Sequence, residues 1–256
     1  MVPFKKIKVD KLYDGQVWWI TLNVPKGNVL DREMMLEIED SARSARIPSV
    51  KALVFEGAGD HFSFGASVAE HTKEAAPSML AAFHQLFRTL IDSSKPLVAV
   101  VRGQCLGGGM ELATFCHWVF ASENAMFGQP EIQLGVFPPV ASIVLPAKVG
   151  QAAADDLILT GRSIPAREAK EIGLITSVSG DPKAEATNLL DKQILPKSGA
   201  ALEFTVKASR YEFHEAFRRG IERLEKTYVR ELMETADANE GIASFLEKRK
   251  PAWKNR

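Results

Sequence analysis

The chain has 256 residues, 46% of them hydrophobic and 25% charged, with 32 basic side chains matched by 32 acidic ones. That length can bury one substantial core plus an appendage. The neutral balance argues against a global field drawing the protein to nucleic acid or an anionic membrane, so an anionic ligand must be caught locally.

Met1 to Asp10 carries charges where a secretion signal would be apolar, and no run of about 18 apolar residues follows. A soluble cytoplasmic protein is expected. Ile7 to Leu12, where Ile7 and Val9 alternate with lysines, predicts a strand paired through a Gly15 turn with the buried run Val17 to Leu22. Asp31 reads as an N-cap, with Met34, Met35, Ile38, Ala42 and Ala45 on one helical face. Val50 to Phe55 predicts a second buried strand, ending at Gly57-Ala58-Gly59, and Pro77 to Ile91 a second amphipathic helix.

Leu97 to Val101 (LVAVV) is apolar throughout, as expected of a strand covered on both faces. Strand, glycine loop, helix and strand recur through residue 122, which implies crossover units and an α/β core. Cys105 and Cys116 lie in apolar surroundings and are expected as buried thiols. Leu174 to Val178 predicts a late strand after a Gly173 helix stop. From Pro182 onward the strand pattern ceases, with long amphipathic helices expected over 199–236 and a short one over Gly241 to Lys248. The division predicted is an α/β core over 1–195 and a helical region over 196–256.

Three stretches carry chemistry. In RGQCLGGGMEL, three glycines follow a buried strand and open a helix, where free N–H groups and the positive end of the helix dipole are presented. Without Cβ atoms, they let a ligand carbonyl approach the backbone, and Glu111 falls in the first turn beside them. The stretch alone fits equally a tight packing turn, and it lacks the Lys-Ser/Thr of a phosphate loop. The second stretch, HFSFGAS (His61 to Ser67), could supply another backbone N–H, from Phe64, facing the same point. Two such donors from separate loops are what an enolate oxygen requires. In the third, FGQPE, Pro130 suits the first position of a short helix with Glu131 next to it. The five histidines show no metal-ligand spacing and no GxSxG elbow occurs, so no metal and no serine nucleophile are expected.

Together with LNVPKGNVL, FGQPEIQLGVFP, LTGRSIPAREAKEIGLI and the ending EGIASFLEKRKPAWK, these motifs resemble the enoyl-CoA hydratase/isomerase (crotonase) family over nearly the whole chain. The resemblance implies an α/β fold built as a superhelix of ββα units, with a C-terminal helical trimerisation region and assembly as a homotrimer or a dimer of trimers. It implies an oxyanion hole from the backbone N–H groups of Phe64 and Gly108, and catalytic carboxylates Glu111 and Glu131. The substrate implied is an acyl-CoA thioester, with CoA part of the substrate and no separate cofactor. Lys26, Trp253 and Lys254 fall where the family meets CoA. Retention of glutamate at both positions resembles the hydratases of the family.

Two departures narrow the acyl group. Ser67 stands where the family often has aspartate after Gly65-Ala66. Phe137-Pro138-Pro139 replaces a glycine-rich segment, and its stiff apolar wall suits a ring better than a flexible chain. With GASVAEH, this wall resembles the branch of the family that hydrates cyclohexa-1,5-diene-1-carbonyl-CoA; Ala66, Phe137 and Pro138 are the expected acyl contacts. A generic short-chain enoyl-CoA hydratase is the alternative. One RNA-binding branch of the family offers a non-enzymatic alternative, favoured by the basic tail over 248–256 and opposed by the neutral net charge.

Overall fold

The computed structural model describes residues 4–256; the first three residues of the predicted 1–195 core lie outside them. Strands β1 (Ile7–Leu12) and β2 (Val17–Leu22) form an antiparallel hairpin, as their alternation predicts. Helix α1 (Arg32–Ser44) is capped by the Asp31 side chain, which accepts from the Met34 N–H at 2.9 Å. It buries Met34, Met35, Ile38 and Ala42. Strand β3 (Ala52–Gly57) is displaced by two residues from its expected start, because the Val50 amide closes a turn onto Ile47. Helix α2 (Ala76–Ser93) follows, then β4 (Leu97–Val101), every residue of which is buried.

A repeat now becomes visible. After β4 the chain makes β5 (Gln104–Leu106), α3 (Gly108–Phe115), β6 (Trp118–Ser122) and β7 (Met126–Gly128). A short 3₁₀ turn (Pro130–Leu134), α4 (Ala141–Val149), α5 (Gln151–Thr160), β8 (Ser163–Pro165), α6 (Ala166–Glu171) and β9 (Ser177–Ser179) complete the core. The large sheet has the order β1-β2-β3-β4-β6-β9 and is parallel from β2 onward; the small one has the order β5-β7-β8. Isolated bridges Leu30–Ala66 and Ser63–Cys105 extend the small layer backward. Each turn of the chain thus sends one segment to the large sheet, one to the small layer, and then forms a helix. This is the expected superhelix of ββα units.

The late strand differs from expectation. Leu174 and Ile175 are buried in the turn after α6, and pairing with β6 covers only Ser177 to Ser179. Thr176 makes the reason plain: its N–H donates to Val119 O and its hydroxyl accepts from Val119 N–H, anchoring the chain before the strand begins. Apolar side chains cover both faces of the large sheet, one face meeting Ala186, Leu190 and Ile194 from α7 (Pro182–Leu189) and the short π-helical segment Leu190–Ile194 after it. Burying each large side chain of this kind contributes about 1.5–3 kcal/mol.

The helical region comprises α8 (Gly199–Ser209), α9 (Tyr211–Arg230) and α10 (Ala236–Leu246). The last starts five residues before Gly241, because Thr235 caps it by accepting from the Ala238 N–H. Helix α9 packs on α2 and α4, and α10 on the 3₁₀ turn that holds Glu131. Among the described residues, no helix is long and apolar enough to cross a membrane.

Candidate active site

Successive ββα turns bring the three chemical stretches together, because each lies at the same station, where the small-layer strand ends and the next helix begins. The first of them is shaped by two buried polar side chains. Asn28, at positive φ (50°), donates to the carbonyls of Ala58, His61 and Phe62, while the Ser63 hydroxyl donates to Asn28 O and accepts from the Gly65 N–H. These bonds hold the loop from Phe62 to Ser67 in one shape.

That shape corrects the expected donor. The Phe64 N–H is already committed to Gly27 O at 2.8 Å, and its ring, 43% exposed, packs over Gly27. Strand alternation supplies a different amide. Leu30 uses its N–H on Gly65 O and its carbonyl on the Ser67 N–H, so the N–H of the intervening Ala66 points the other way, toward the end of β5. It has no hydrogen-bond partner among the described residues. A methyl group on Gly108 would lie 3.3 Å from the Ala66 nitrogen, and one on Gly65 would lie 3.4 Å from the Gly108 nitrogen. Two unpaired amides, Ala66 and Gly108, therefore stand side by side. The deciding feature is a pairing and not a local motif: a residue bridged on one side in a parallel ladder faces its N–H to the other.

Glu111 lies in the first turn of α3 and is 3% exposed. Its Oε1 accepts from the Ala141 N–H at 2.7 Å, so the carboxylate also sits at the N-terminus of α4. Burial pushes its pKa up to about 7, against the opposing pull of the Ala141 and Val140 amides. Glu131, in the 3₁₀ turn, is partly buried. Its Oε1 would be 2.6 Å from a side chain at Gly107, whose φ of +48° and ψ of −128° suit only glycine. Burial, then the nearby Glu111 charge, raise the Glu131 pKa well above the usual carboxylate range. The buried Gln129 amide, turned to donate, reaches both Glu131 oxygens at 3.0 and 3.2 Å. Gln129 lies inside the FGQPE motif with no role assigned to it from sequence, as do Asn28 and Ser63 in theirs.

A cavity of about 640 Å³ is lined by Phe64, Val68, Leu106, Pro130, Leu134 and Phe245, drawn from the same loops that carry Ala66, Gly108 and Glu131 and from α10. Exposed Lys26 precedes Gly27, against which the Phe64 ring packs. Phe137 is partly buried, its ring 5.3 Å from that of Tyr228 in an edge contact, and Pro138 and Pro139 are buried behind it. The basic tail is folded rather than loose. Asp237 accepts from the Lys254 and Asn255 amides at 2.7 and 2.6 Å, and Trp253 packs over Gly135 and Gly241.

The family model for enoyl-CoA hydratase/isomerase matches residues 13–256. The chain belongs to the enoyl-CoA hydratase/isomerase family. It is similar to cyclohexa-1,5-dienecarbonyl-CoA hydratase of Thauera aromatica, 42% identical over 98% of this chain and 97% of that protein. It also resembles 2,3-dehydroadipyl-CoA hydratase of Escherichia coli K12, 34% identical over 94% of this chain and 96% of that one. Among solved structures, an enoyl-CoA hydratase from Mycobacterium avium superposes with a TM-score of 0.86 at 30% identity, covering 97% of this chain and 99% of the other. The enoyl-CoA hydratase/isomerase membership and these relatives make the protein a hydratase-type carbon–oxygen lyase, with the α/β crotonase fold.

Proposed function

We propose that the protein adds water to the conjugated double bond of an acyl-CoA thioester, with Ala66 and Gly108 as oxyanion donors and Glu111 and Glu131 as the acid–base pair. The observation that carries this reading is the pair of unpaired amides in one site with two carboxyls of raised pKa, Glu111 buried and Glu131 partly buried. A thioester oxygen seated between those amides accepts two hydrogen bonds, which strengthen as addition places negative charge on it. Glu111, whose ionised form is supported by two amides, takes a proton from water as the hydroxyl oxygen bonds to the electrophilic carbon. Glu131, whose carboxyl has Gln129 but no cation beside it, gives its proton to the neighbouring carbon. The net change is one water added, and return of the proton from Glu111 to Glu131 resets a pair that holds one proton between them.

The acyl group proposed is a cyclic diene, cyclohexa-1,5-diene-1-carbonyl, hydrated to the 6-hydroxycyclohex-1-ene product as a step of anaerobic aromatic degradation. The stiff wall of Phe137, Pro138 and Pro139 supports a flat ring, and so does similarity to the Thauera enzyme. The cavity beside Phe64 fits the CoA arm, with Lys26 at the phosphate end; Trp253 and Lys254 are assigned to the CoA side with it. The reading uses no cofactor beyond the CoA that the substrate carries. Exposed Leu159, Phe204 and Tyr211, at 68, 71 and 61%, support assembly as a trimer or dimer of trimers.

Steady-state turnover of crotonyl-CoA against cyclohexa-1,5-diene-1-carbonyl-CoA tests the substrate. The ring ester is expected to show the higher kcat/KM by at least about 10-fold, roughly 1.4 kcal/mol of differential binding in the transition state. Preference for crotonyl-CoA rejects the ring and leaves the acid–base pair standing.

A further inference from the structure

Tyr228 carries a buried hydroxyl that the reaction outlined above leaves unused. It lies in α9, is 1% exposed, and its hydroxyl has no hydrogen-bond partner among the described residues. Burying an unpaired hydroxyl is costly, and phenylalanine would fill nearly the same volume without that penalty. A tyrosine at such a place implies a partner that arrives with the ligand. Its surroundings indicate where. The Tyr228 ring meets the edge of Phe137, which opens the segment ending at Ala141, and the Ala141 amide holds Glu111. Burial, then Glu131, then Glu111, push the phenol pKa upward, so both carboxylates lie within Coulomb range and the hydroxyl stays protonated.

Water is the reactant small enough to reach a buried phenol, and it has two lone pairs. One must face the substrate carbon; the other needs a donor. Each carboxyl can take a proton from that water or give one to carbon, but a carboxylate cannot donate to the oxygen. We propose that the Tyr228 hydroxyl donates a hydrogen bond to the oxygen of the attacking water, and to the same oxygen once it has become the hydroxyl group of the product. This assignment rests on the hydratase reading. In the hydration direction it aims a lone pair at the reacting carbon; in reverse it supports the departing oxygen. It also gives the C-terminal helices a part in catalysis, through a residue far from the motifs in the chain.

The test is Tyr228→Phe, which removes only the oxygen. Turnover is measured with the unsaturated thioester, and calorimetry follows binding of two CoA esters of one carbon skeleton, the hydroxyacyl product and the saturated acyl ester without the hydroxyl. We expect kcat/KM to fall about 10- to 100-fold, carried by kcat. The hydroxyacyl ester should bind about 10-fold more weakly, the worth of one hydrogen bond. Binding of the saturated ester should hold, and the thermal midpoint of the free protein should hold or rise as the unpaired hydroxyl is removed. A tyrosine that merely packs would weaken both esters alike or neither, and either result overturns the proposal. Wild-type turnover in Tyr228→Phe beside an inactive Glu111→Gln removes the tyrosine and keeps the glutamates. Full turnover in both variants removes the hydratase mechanism as well.

Discussion

Glu56 and Glu111 are carboxylates buried in one α/β core, 6% and 3% exposed, and their surroundings drive them in opposite directions. At the end of β3, burial pushes Glu56 up, but hydrogen bonds from Lys183 at 2.9 Å, Arg102 at 2.6 Å and the Trp19 indole at 2.7 Å outweigh it, and its pKa falls below the usual value. Glu111 has backbone amides and no cation, and a second carboxyl faces it; there burial wins and the pKa rises. The first arrangement holds a charge still and ties β3 to β4 and α7. The second leaves a proton undecided near neutral pH, which is what acid–base work needs. Burial alone therefore says little about a carboxylate's role; the presence or absence of a cation decides it.

The sharpest way to break this contrast is by amide substitution. Glu111→Gln or Glu131→Gln should each lower kcat by about 10³-fold with CoA-ester binding largely kept. Glu56→Gln should leave kcat within a few-fold. Equal losses at both places would show that burial, not the proton, matters. Next in size is Gly107→Ala, which puts a methyl 2.6 Å from Glu131 Oε1 at a glycine-only backbone angle. It should cost about 10²-fold in kcat through a displaced carboxyl and about 1–3 kcal/mol in stability, read by steady-state kinetics and urea unfolding.

On stability alone, the order reverses. Glu56→Gln should destabilise by about 2 kcal/mol, since three donors lose a charged acceptor, whereas Glu111→Gln should match or exceed the wild type. The pH dependence gives the most discriminating effect. A carboxyl whose folded pKa is raised favours the folded state fully below the unfolded value of 4.5, and that contribution is lost as pH climbs to about 7. Glu56, with its folded pKa lowered, favours folding above 4.5 and loses that as pH falls through the folded value. Denaturant unfolding between pH 4.5 and 7 should therefore show a declining contribution of up to about 3 kcal/mol from Glu111, flattened in Glu111→Gln. An unchanged slope in that variant would overturn the raised pKa.

Much of this was legible in the linear chain. Alternation and apolar runs marked β1, β2 and β4, the Asp31 cap marked α1, and three glycines before Glu111 marked a helix start open to a ligand. These are local properties, set by side-chain periodicity and backbone freedom within a few residues. The motifs, taken together, also identified the family, and they singled out Glu111 and Glu131, which the fold brings near each other. Less was legible where pairing decides. The late strand shifted from Leu174–Val178 to Ser177–Ser179 because Thr176 is tied to a distant strand.

The same reason separates Phe64 from Ala66. Both amides sit in one glycine loop, and nothing local tells which is free; that depends on Gly27 and Leu30 lying on one side and β5 on the other. Gln129 beside Glu131, the cation-free burial of Glu111 and the unpaired hydroxyl of Tyr228 are likewise products of neighbours brought from elsewhere in the chain. The sequence by itself determined which residues could do chemistry and in which elements they lie. Tertiary structure alone decided which of their donors and acceptors remain unspent, because a hydrogen bond or a desolvated charge belongs to two segments and not to one.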